Sequence, residues 1–553
     1  MIGRARLMYR EVSGMHAAAY ILAGSAIVSS LLALLRDRLL THTFGAGEAL
    51  DLYFAAFRVP DLIFVLIASL FSAYALIPLL SPQEPEAQKK YIDTIVGGCM
   101  ALLLGISLVA YFVAPLLLQI LFPDLVAQSG ETLLMLTRIL LLQPILLGLS
   151  NITAALTQIR GRYFLYAVSP ILYNLGIILG LLFLYPIAGI AGVAWGVVLG
   201  AAAHTLIQVP ALMREGFFRR FPTRIDMSEL WRTVELSFPR TLTLSIGQIT
   251  QLFLVAIAAT LATGSISVFA LAYNLQSVPL MVIGASYSVA AFPTLARVFA
   301  NGETGAFVAQ VAAATRHVLF WTLPATALMV VLRAHVVRVT LGSGAFDWTD
   351  TRLTAAAFAV LAFALAAQAV SLLLIRAFYA SGRSRIPLIV TVGSGICVLA
   401  VAYTLTTLRA QSSIGLFVES LLRVEDVAGV SVLMLAFAIT VGAVISTASL
   451  VVMFQRNFSG YIQSISRSFW EGLAAAGFAG ISSYWVLSVL GGISSATTMG
   501  AVFYHGGVSG VAGILAAVCA YSLFGSIELE EMKDALMRRV RGNPPQSVEE
   551  QHL

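Results

Sequence analysis

Charge is scarce in this chain. Of its 553 residues 11% are charged and 59% hydrophobic, and the mean hydropathy is +0.90, which excludes an ordinary soluble globular protein. Cysteine is scarcer still. Cys99, Cys397 and Cys519 stand apart inside apolar stretches, so neither a disulfide framework nor a thiolate metal cluster is available, and they read as small buried hydrophobes. There is no GxxxxGK[ST] loop, no HExxH and no GxSxG. ATP hydrolysis, a zinc protease and a serine hydrolase therefore find no support, no cofactor is expected, and the chain is read as no enzyme. Nor is there a polar stretch long enough for a sizeable soluble domain. The net charge of +6 comes from basic residues scattered over short connections. Without a patch interleaved with aromatics, nucleic acid is not a partner.

What is present is a succession of apolar runs, each long enough at about 20 residues to cross a bilayer. They fall near 15–41, 51–80, 92–121, 133–159, 163–185, 188–213, 236–262, 266–296, 308–332, 352–380, 386–407, 428–455, 466–490 and 505–526. The fold class is thus an all-α polytopic membrane protein with about fourteen spans. Pro60, Pro78, Pro279, Pro293 and Pro324 lie within these runs and predict kinks. Arg4, Arg6 and Arg10 precede a first run too long for a signal-peptide core, so an uncleaved first span is expected. Basic residues alternate sharply between connections. With both termini in the cytoplasm, about twenty fall inside and about five outside, the positive-inside pattern of a cytoplasmic (inner) membrane protein. Segment 412–427 is amphipathic and predicts a short interfacial helix. Leu529, Met532, Leu536 and Val540 share a helical face before the polar end NPPQSVEEQHL, which suits either a helix on the inner surface or a solvated tail.

Two echoes suggest internal duplication. FAAFRVPDL followed by ALIPLLS resembles FALAYNLQSVPLM followed by AAFPTLAR, and LTQIRGRYFLYAV resembles AFYASGRSRIPLIV. Each pair is about six spans apart, an even offset that preserves orientation, so the halves are predicted to be parallel repeats with a substrate site at their interface. The expected division is an N-lobe with its connector (1–232), a C-lobe (233–456), two further helices (457–527) and a cytoplasmic tail (528–553).

Ionisable residues at membrane depth normally face a partner or a polar pathway. Apart from residues at span edges, acidic residues inside the spans are confined to Asp37, Asp51 and Asp61, whereas Arg36, Arg38, Arg58, Arg138, Arg316 and Arg376 are basic. Guanidinium forks onto phosphate oxygens, so this bias suits a phosphorylated or diphosphorylated cargo better than a cation. The candidate substrate-binding set is Arg36, Asp37, Asp51, Arg58, Arg138 and Arg316. All but Arg316 have a plainer alternative. Arg36 with Asp37 reads otherwise as an internal ion pair, Arg38, Arg58 and Arg138 as side chains reaching an interface, Arg376 as a topology marker, and Asp51, after the FGAG turn, as a helix cap. His204 and His317 are single and lack the spacing of a metal pair; no metal site is predicted.

The run LLRDRLLTHTFGAGEALDLYFAAFRVPDL resembles the first-to-second helix signature of the MurJ/MviN lipid II flippases of the MOP exporter superfamily. AYNLQSVPLMVIGASYSVAAFPTLAR resembles that family's eighth helix and AFYASGRSRIPL its tenth-to-eleventh connection. The resemblance implies that undecaprenyl-diphosphate-linked disaccharide pentapeptide is moved from the inner to the outer leaflet for peptidoglycan synthesis, through a cationic cavity between lobes. It implies membrane lipids and the peptidoglycan synthesis machinery as partners of a monomer. It also implies that Arg36 and Asp37 match the family's first-helix pair and Asp51 its acidic residue opening the second helix. Ser30, Phe64 and Asn274 stand where members carry further arginines, and Arg316 or Arg138 is expected to compensate. Two rivals remain: a flippase for another polyprenyl-diphosphate-linked oligosaccharide of the O-antigen or capsule type, and a membrane protein that binds such a precursor without moving it.

Overall fold

The computed structural model describes residues 15–71, 84–160, 162–214, 226–408, 419–491 and 498–540, with 76, 79–80 and 216–217. Among the described residues there is no strand, as expected where a lipid solvent forces every backbone group to be satisfied within its own segment. The helices are α1 (Met15–Phe44), α2 (Glu48–Ala56), α3 (Arg58–Ala68), α4 (Pro85–Leu121), α5 (Pro123–Leu140), α6 (Leu142–Ile159), α7 (Tyr163–Leu179), α8 (Ile190–Leu206), α9 (Met227–Ala259), α10 (Ser265–Pro279), α11 (Ser286–Ala300), α12 (Thr304–Val331), α13 (Trp348–Ala362), α14 (Leu365–Ala380), α15 (Arg385–Leu408), α16 (Val432–Asn457), α17 (Tyr461–Leu490), α18 (Met499–Phe524) and α19 (Ile527–Val540).

Among the described residues eleven helical stretches are long and apolar enough to cross a membrane, or twelve if α13 and α14, bent by 45°, form one span. These twelve coincide with the third to fourteenth predicted spans. The second predicted span, 51–80, is not continuous: the chain breaks at Phe57 between α2 and α3, and Arg58 Nε donates back to Phe54 O at 3.2 Å across the break. Pro279 is followed at once by a π-helical segment, Leu280–Ala285, where the missing proline N–H has let the ladder slip. Pro78 lies outside the described residues. So does most of the predicted interfacial helix; its described end, 419–422, is helical. The tail forms a helix through Val540, and 541–553 lie outside the described residues.

The chain groups into two compact units. The first comprises Met1–Leu271, Thr340–Thr354 and Thr391–Ala438. Its core joins α3, α4, α6 and α9 through residues such as Ile63, Ile67, Ile92, Leu103, Ile152 and Leu156. Elsewhere in it α7 and α8 meet backbone to backbone. A Cβ on Gly176 would lie 2.3 Å from Gly200 Cα, and one on Gly180 2.4 Å from Gly196 Cα. The spacing of four in both helices is the small-residue seam by which membrane helices gain van der Waals contact without a hydrophobic driving force.

The second unit comprises Ala272–Val339, Ala355–Val390 and Ile439–Leu553. An aromatic cluster ties α12, α14, α16 and α17 together: Phe454 lies 5.6 Å from Phe378 of α14 and 4.8 Å from Phe458 and from Tyr461, and the Tyr461 hydroxyl meets Thr315 Oγ1 at 2.9 Å. Another seam joins α12, α17 and α18. Pro324 has no N–H for the Phe320 carbonyl one turn earlier, and Tyr521 of α18 fills the gap, its hydroxyl donating to Phe320 O at 2.8 Å while its ring stacks on Phe320 at 4.2 Å.

Candidate functional site

Arg36 and Asp37 are neighbours on α1, positions that do not face one another on a helix. The arginine stem folds across, so that Nε and Nη2 donate to the same oxygen, Asp37 Oδ1, at 2.9 and 2.7 Å. Its Nη1 donates to Asn174 Oδ1 of α7 at 3.0 Å. Asn174 Nδ2 in turn donates to Ser29 Oγ at 3.3 Å and to Pro170 O at 3.2 Å. Asp37 is buried and the Arg36 side chain is 19% exposed. The pair is therefore an internal ion pair, tied by an amide from another helix. Three of the five guanidinium N–H groups are committed, which leaves two to meet a further acceptor.

Asp51 is a helix cap, though of a different helix from the one expected. The N-cap of α2 is Gly47, with no side-chain cap. Asp51 instead accepts from Gly264 N at 2.6 Å, Ser267 N at 2.7 Å and Ser267 Oγ at 2.5 Å, closing the N-terminus of α10. It is 3% exposed. The reason is electrostatic: the first turn of α10 offers orphan N–H groups and the positive end of a helix dipole, an arrangement that stabilises a buried carboxylate without a cation.

The rest of the α1–α2 corner is fastened as well. Gly45 has φ +63° and supports the tight FGAG turn. Thr41 Oγ1 donates to Leu341 O at 3.0 Å, Ala345 N to His42 O at 2.9 Å and Ala46 N to Asp350 Oδ2 at 3.0 Å. Gly264, at φ +89°, passes so close to Ala46 O that a Cβ there would sit 2.2 Å from it. Residues 264–267 and 341–350 thus hold the corner at several points, all within the first unit.

The remaining candidates are not part of this cluster. Arg58 bridges the α2–α3 break. Arg138, on α5, stacks 4.4 Å over the Tyr111 ring of α4. Arg316 belongs to the second unit and pairs with the buried Glu528 of α19 at 3.2 Å. Glu528 also accepts from Ser468 and Ser526, each at 2.7 Å. His204 Nδ1 lies 2.7 Å from Ser150 Oγ, which accepts from Gln208 Nε2 at 2.9 Å, and His317 Nε2 lies 2.8 Å from Glu531. Among the described residues no group of three His, Cys, Asp or Glu could hold a metal ion.

Asn174, Gly264, Ser267 and Asp350 were not foreseen. Three of them carried a signal: Asn174 is the lone amide in an apolar helix, and Gly264 and Ser267 belong to Thr-Gly-Ser-Ile-Ser at 263–267, a helix-start pattern.

Solved structures fix the class. A structure described as lipid II flippase MurJ in an inward closed conformation aligns with TM-score 0.71 at 18% identity, covering 93% of this chain and 99% of that one. An inward-facing multidrug resistance MATE family transporter of the MOP superfamily aligns with TM-score 0.62 at 16% identity, covering 79% and 96%. The chain is therefore a multi-pass, all-α membrane protein with the fold these transporters share. Its sequence is 28% identical over 375 residues to a probable lipid II flippase MurJ of Thermotoga maritima, covering 66% of this chain and 74% of the relative. It is 23% identical over 388 residues to lipid II flippase MurJ of Burkholderia cenocepacia, covering 67% and 74%. The model of the family described as lipid II flippase MurJ matches residues 40–499. This chain belongs to the MurJ family.

Proposed function

We propose that this protein moves lipid II, the undecaprenyl-diphosphate-linked peptidoglycan precursor, from the inner to the outer leaflet of the cytoplasmic membrane by alternating access. The observation that carries the reading is a family match running through 40–499, across the Asp51 corner and beyond α17. The geometry supports it. Arg36 offers a guanidinium with N–H groups to spare, held in place by Asp37 and Asn174, and such a group suits a diphosphate. Release at the outer face requires the α1–α2 corner to part, and every donor on Asp51 is one that water can replace.

The reading keeps both termini in the cytoplasm, the division at 1–232, 233–456, 457–527 and 528–553, a monomer, and membrane lipids and the peptidoglycan synthesis machinery as partners. It assigns no catalytic group. Arg36, Asp37, Asp51 and Arg58 are its transport residues; Arg138 and Arg316 are secondary, since Arg138 lies over the Tyr111 ring, away from Arg36 and Asp51, and Arg316 is paired with Glu528.

The test is the arrival of lipid II in the outer leaflet of cells depleted of their own flippase and expressing this chain or its Arg36→Ala variant. Transport by the parent and a loss of at least about tenfold in the variant, the cost of one charge-assisted hydrogen bond or more, supports the reading. No transport by a well-expressed parent turns it toward another polyprenyl-diphosphate glycan or toward binding without movement.

A further inference from the structure

The first unit contains a cavity of about 600 Å³ walled by α4, α5, α6 and α8, with Leu104, Ser107, Leu108, Arg138, Leu142 and Trp195 among its lining residues. None of the lining residues comes from α1, α2, α3 or α7, so it is separate from the Arg36 and Asp51 sites. Leu104, Leu108 and Trp195 are exposed, which opens the cavity on a face that meets lipid.

Two polar groups in this apolar wall lack an acceptor suited to them. Pro115 cannot donate to the Tyr111 carbonyl one turn before it, and Arg138 Nε reaches that carbonyl only at 3.4 Å. Among the described residues no carboxylate forms an ion pair with Arg138. Ser107 Oγ is buried and finds no partner among the described residues, its residue being 5% exposed. Serines in this chain's helices ordinarily donate one turn back, as Ser169 does to Leu165 O at 2.9 Å. A guanidinium without a carboxylate and an unpartnered hydroxyl in one lipid-facing cavity call for an anion with several acceptor oxygens. The bilayer supplies one, and drawing a lipid phosphate toward an intramembrane arginine is a membrane's ordinary response to such a charge.

We propose that this cavity binds an anionic glycerophospholipid, with its phosphate on Arg138 and Ser107 and an acyl chain among Leu104, Leu108 and Trp195. The volume is that of a small-ligand pocket, about 300–1,000 Å³, which accommodates a chain segment. A zwitterionic lipid brings its own ammonium to the phosphate and gains less from the arginine.

Trp195 reports occupancy. The protein is reconstituted in nanodiscs of phosphatidylcholine containing either brominated-chain phosphatidylglycerol or brominated-chain phosphatidylcholine. Quenching is measured for the parent and for Trp195→Phe, the difference being the Trp195 signal. Half-quenching is expected at about a tenfold lower mole fraction of the glycerol lipid, the scale of one charge-assisted contact. Arg138→Gln should abolish that preference and Arg138→Lys retain part of it. Ser107→Ala, a single-atom deletion that tests the site even if Arg138→Gln does not fold, should weaken phosphatidylglycerol several-fold and leave phosphatidylcholine unchanged. Equal quenching by both lipids in the parent overturns the proposal. So does a preference that survives Arg138→Gln or is untouched by Ser107→Ala, and so does displacement of phosphatidylglycerol by undecaprenyl phosphate at lower mole fraction, which would make the occupant a polyprenyl lipid.

Discussion

Asp51 and Glu528 are both buried carboxylates that join helices, at 3% and 2% exposure, yet they are satisfied differently. Asp51 accepts from two backbone N–H groups and a hydroxyl at the start of α10. Glu528 accepts from two serine hydroxyls and pairs with Arg316. The difference bears on reversibility. Neutral donors at a helix end can exchange a carboxylate for water at modest cost, whereas separating a buried ion pair strands two charges. Asp51 therefore suits a joint that opens and closes, and Glu528 an anchor that keeps α19 against α12 and α17.

The harshest test of this contrast is Glu528→Ala. It leaves Arg316 uncompensated and is expected to cost about 3–5 kcal/mol of stability, read as a lowered Tm of the purified protein, with transport per folded molecule near that of the parent. If the folded variant instead loses transport as Asp51 variants do, the distinction fails. Next in size is Asp51→Asn. Its amide presents a donor toward one of the two N–H groups, so at least one buried donor goes unsatisfied, and a loss of about 1–3 kcal/mol is expected. Here transport should fall at least about tenfold, since the same joint is used in every cycle; an unimpaired flipping rate would remove Asp51 from the mechanism. The double variant Arg316→Met with Glu528→Leu sharpens the anchor reading. Replacing a buried pair by apolar residues of similar volume is often neutral or stabilising, so stability should return to within about 1 kcal/mol of the parent, while a Tm as low as that of Glu528→Ala would show that the serine contacts matter more than the charge.

The smallest effect belongs to an exposed pair. Arg352 grips Asp426 through Nη1 at 2.8 Å and Nη2 at 2.6 Å. Hydrogen bonding from that guanidinium pushes the Asp426 carboxyl down to about 2. A carboxyl held below its unfolded value of about 3.9 adds stability above that pH, and the contribution is lost as pH falls through about 2. The thermal stability of the parent relative to Asp426→Asn should therefore shrink between about pH 4 and pH 2, and a constant difference across that window would deny the pairing in solution.

The spans were legible because a bilayer leaves few options: long apolar runs become helices, and twelve of the fourteen predicted segments are matched by stretches long and apolar enough to cross. The break in the second falls at Phe57, three residues before the Pro60 where a kink was expected, because hydropathy does not register a one-residue break. The Arg36–Asp37 pair could be read directly since its partners are adjacent. Asp51 could be singled out, but its true partners lie 213 and 216 positions away, and nothing local distinguishes a carboxylate capping its own helix from one capping another. The prolines show the same division. Pro115 and Pro324 announce orphan carbonyls at Tyr111 and Phe320, while the groups that answer them, Arg138 and Tyr521, are 27 and 201 positions from those carbonyls.

By itself the sequence determined the solvent this protein lives in, the helices it forms and the residues too charged for that solvent to be left without a purpose. Only the tertiary structure decided which of them share a site. A buried charge is satisfied by whichever donors the packed backbone brings within about 3 Å, and that proximity, unlike hydropathy, is a property of the fold and not of any segment.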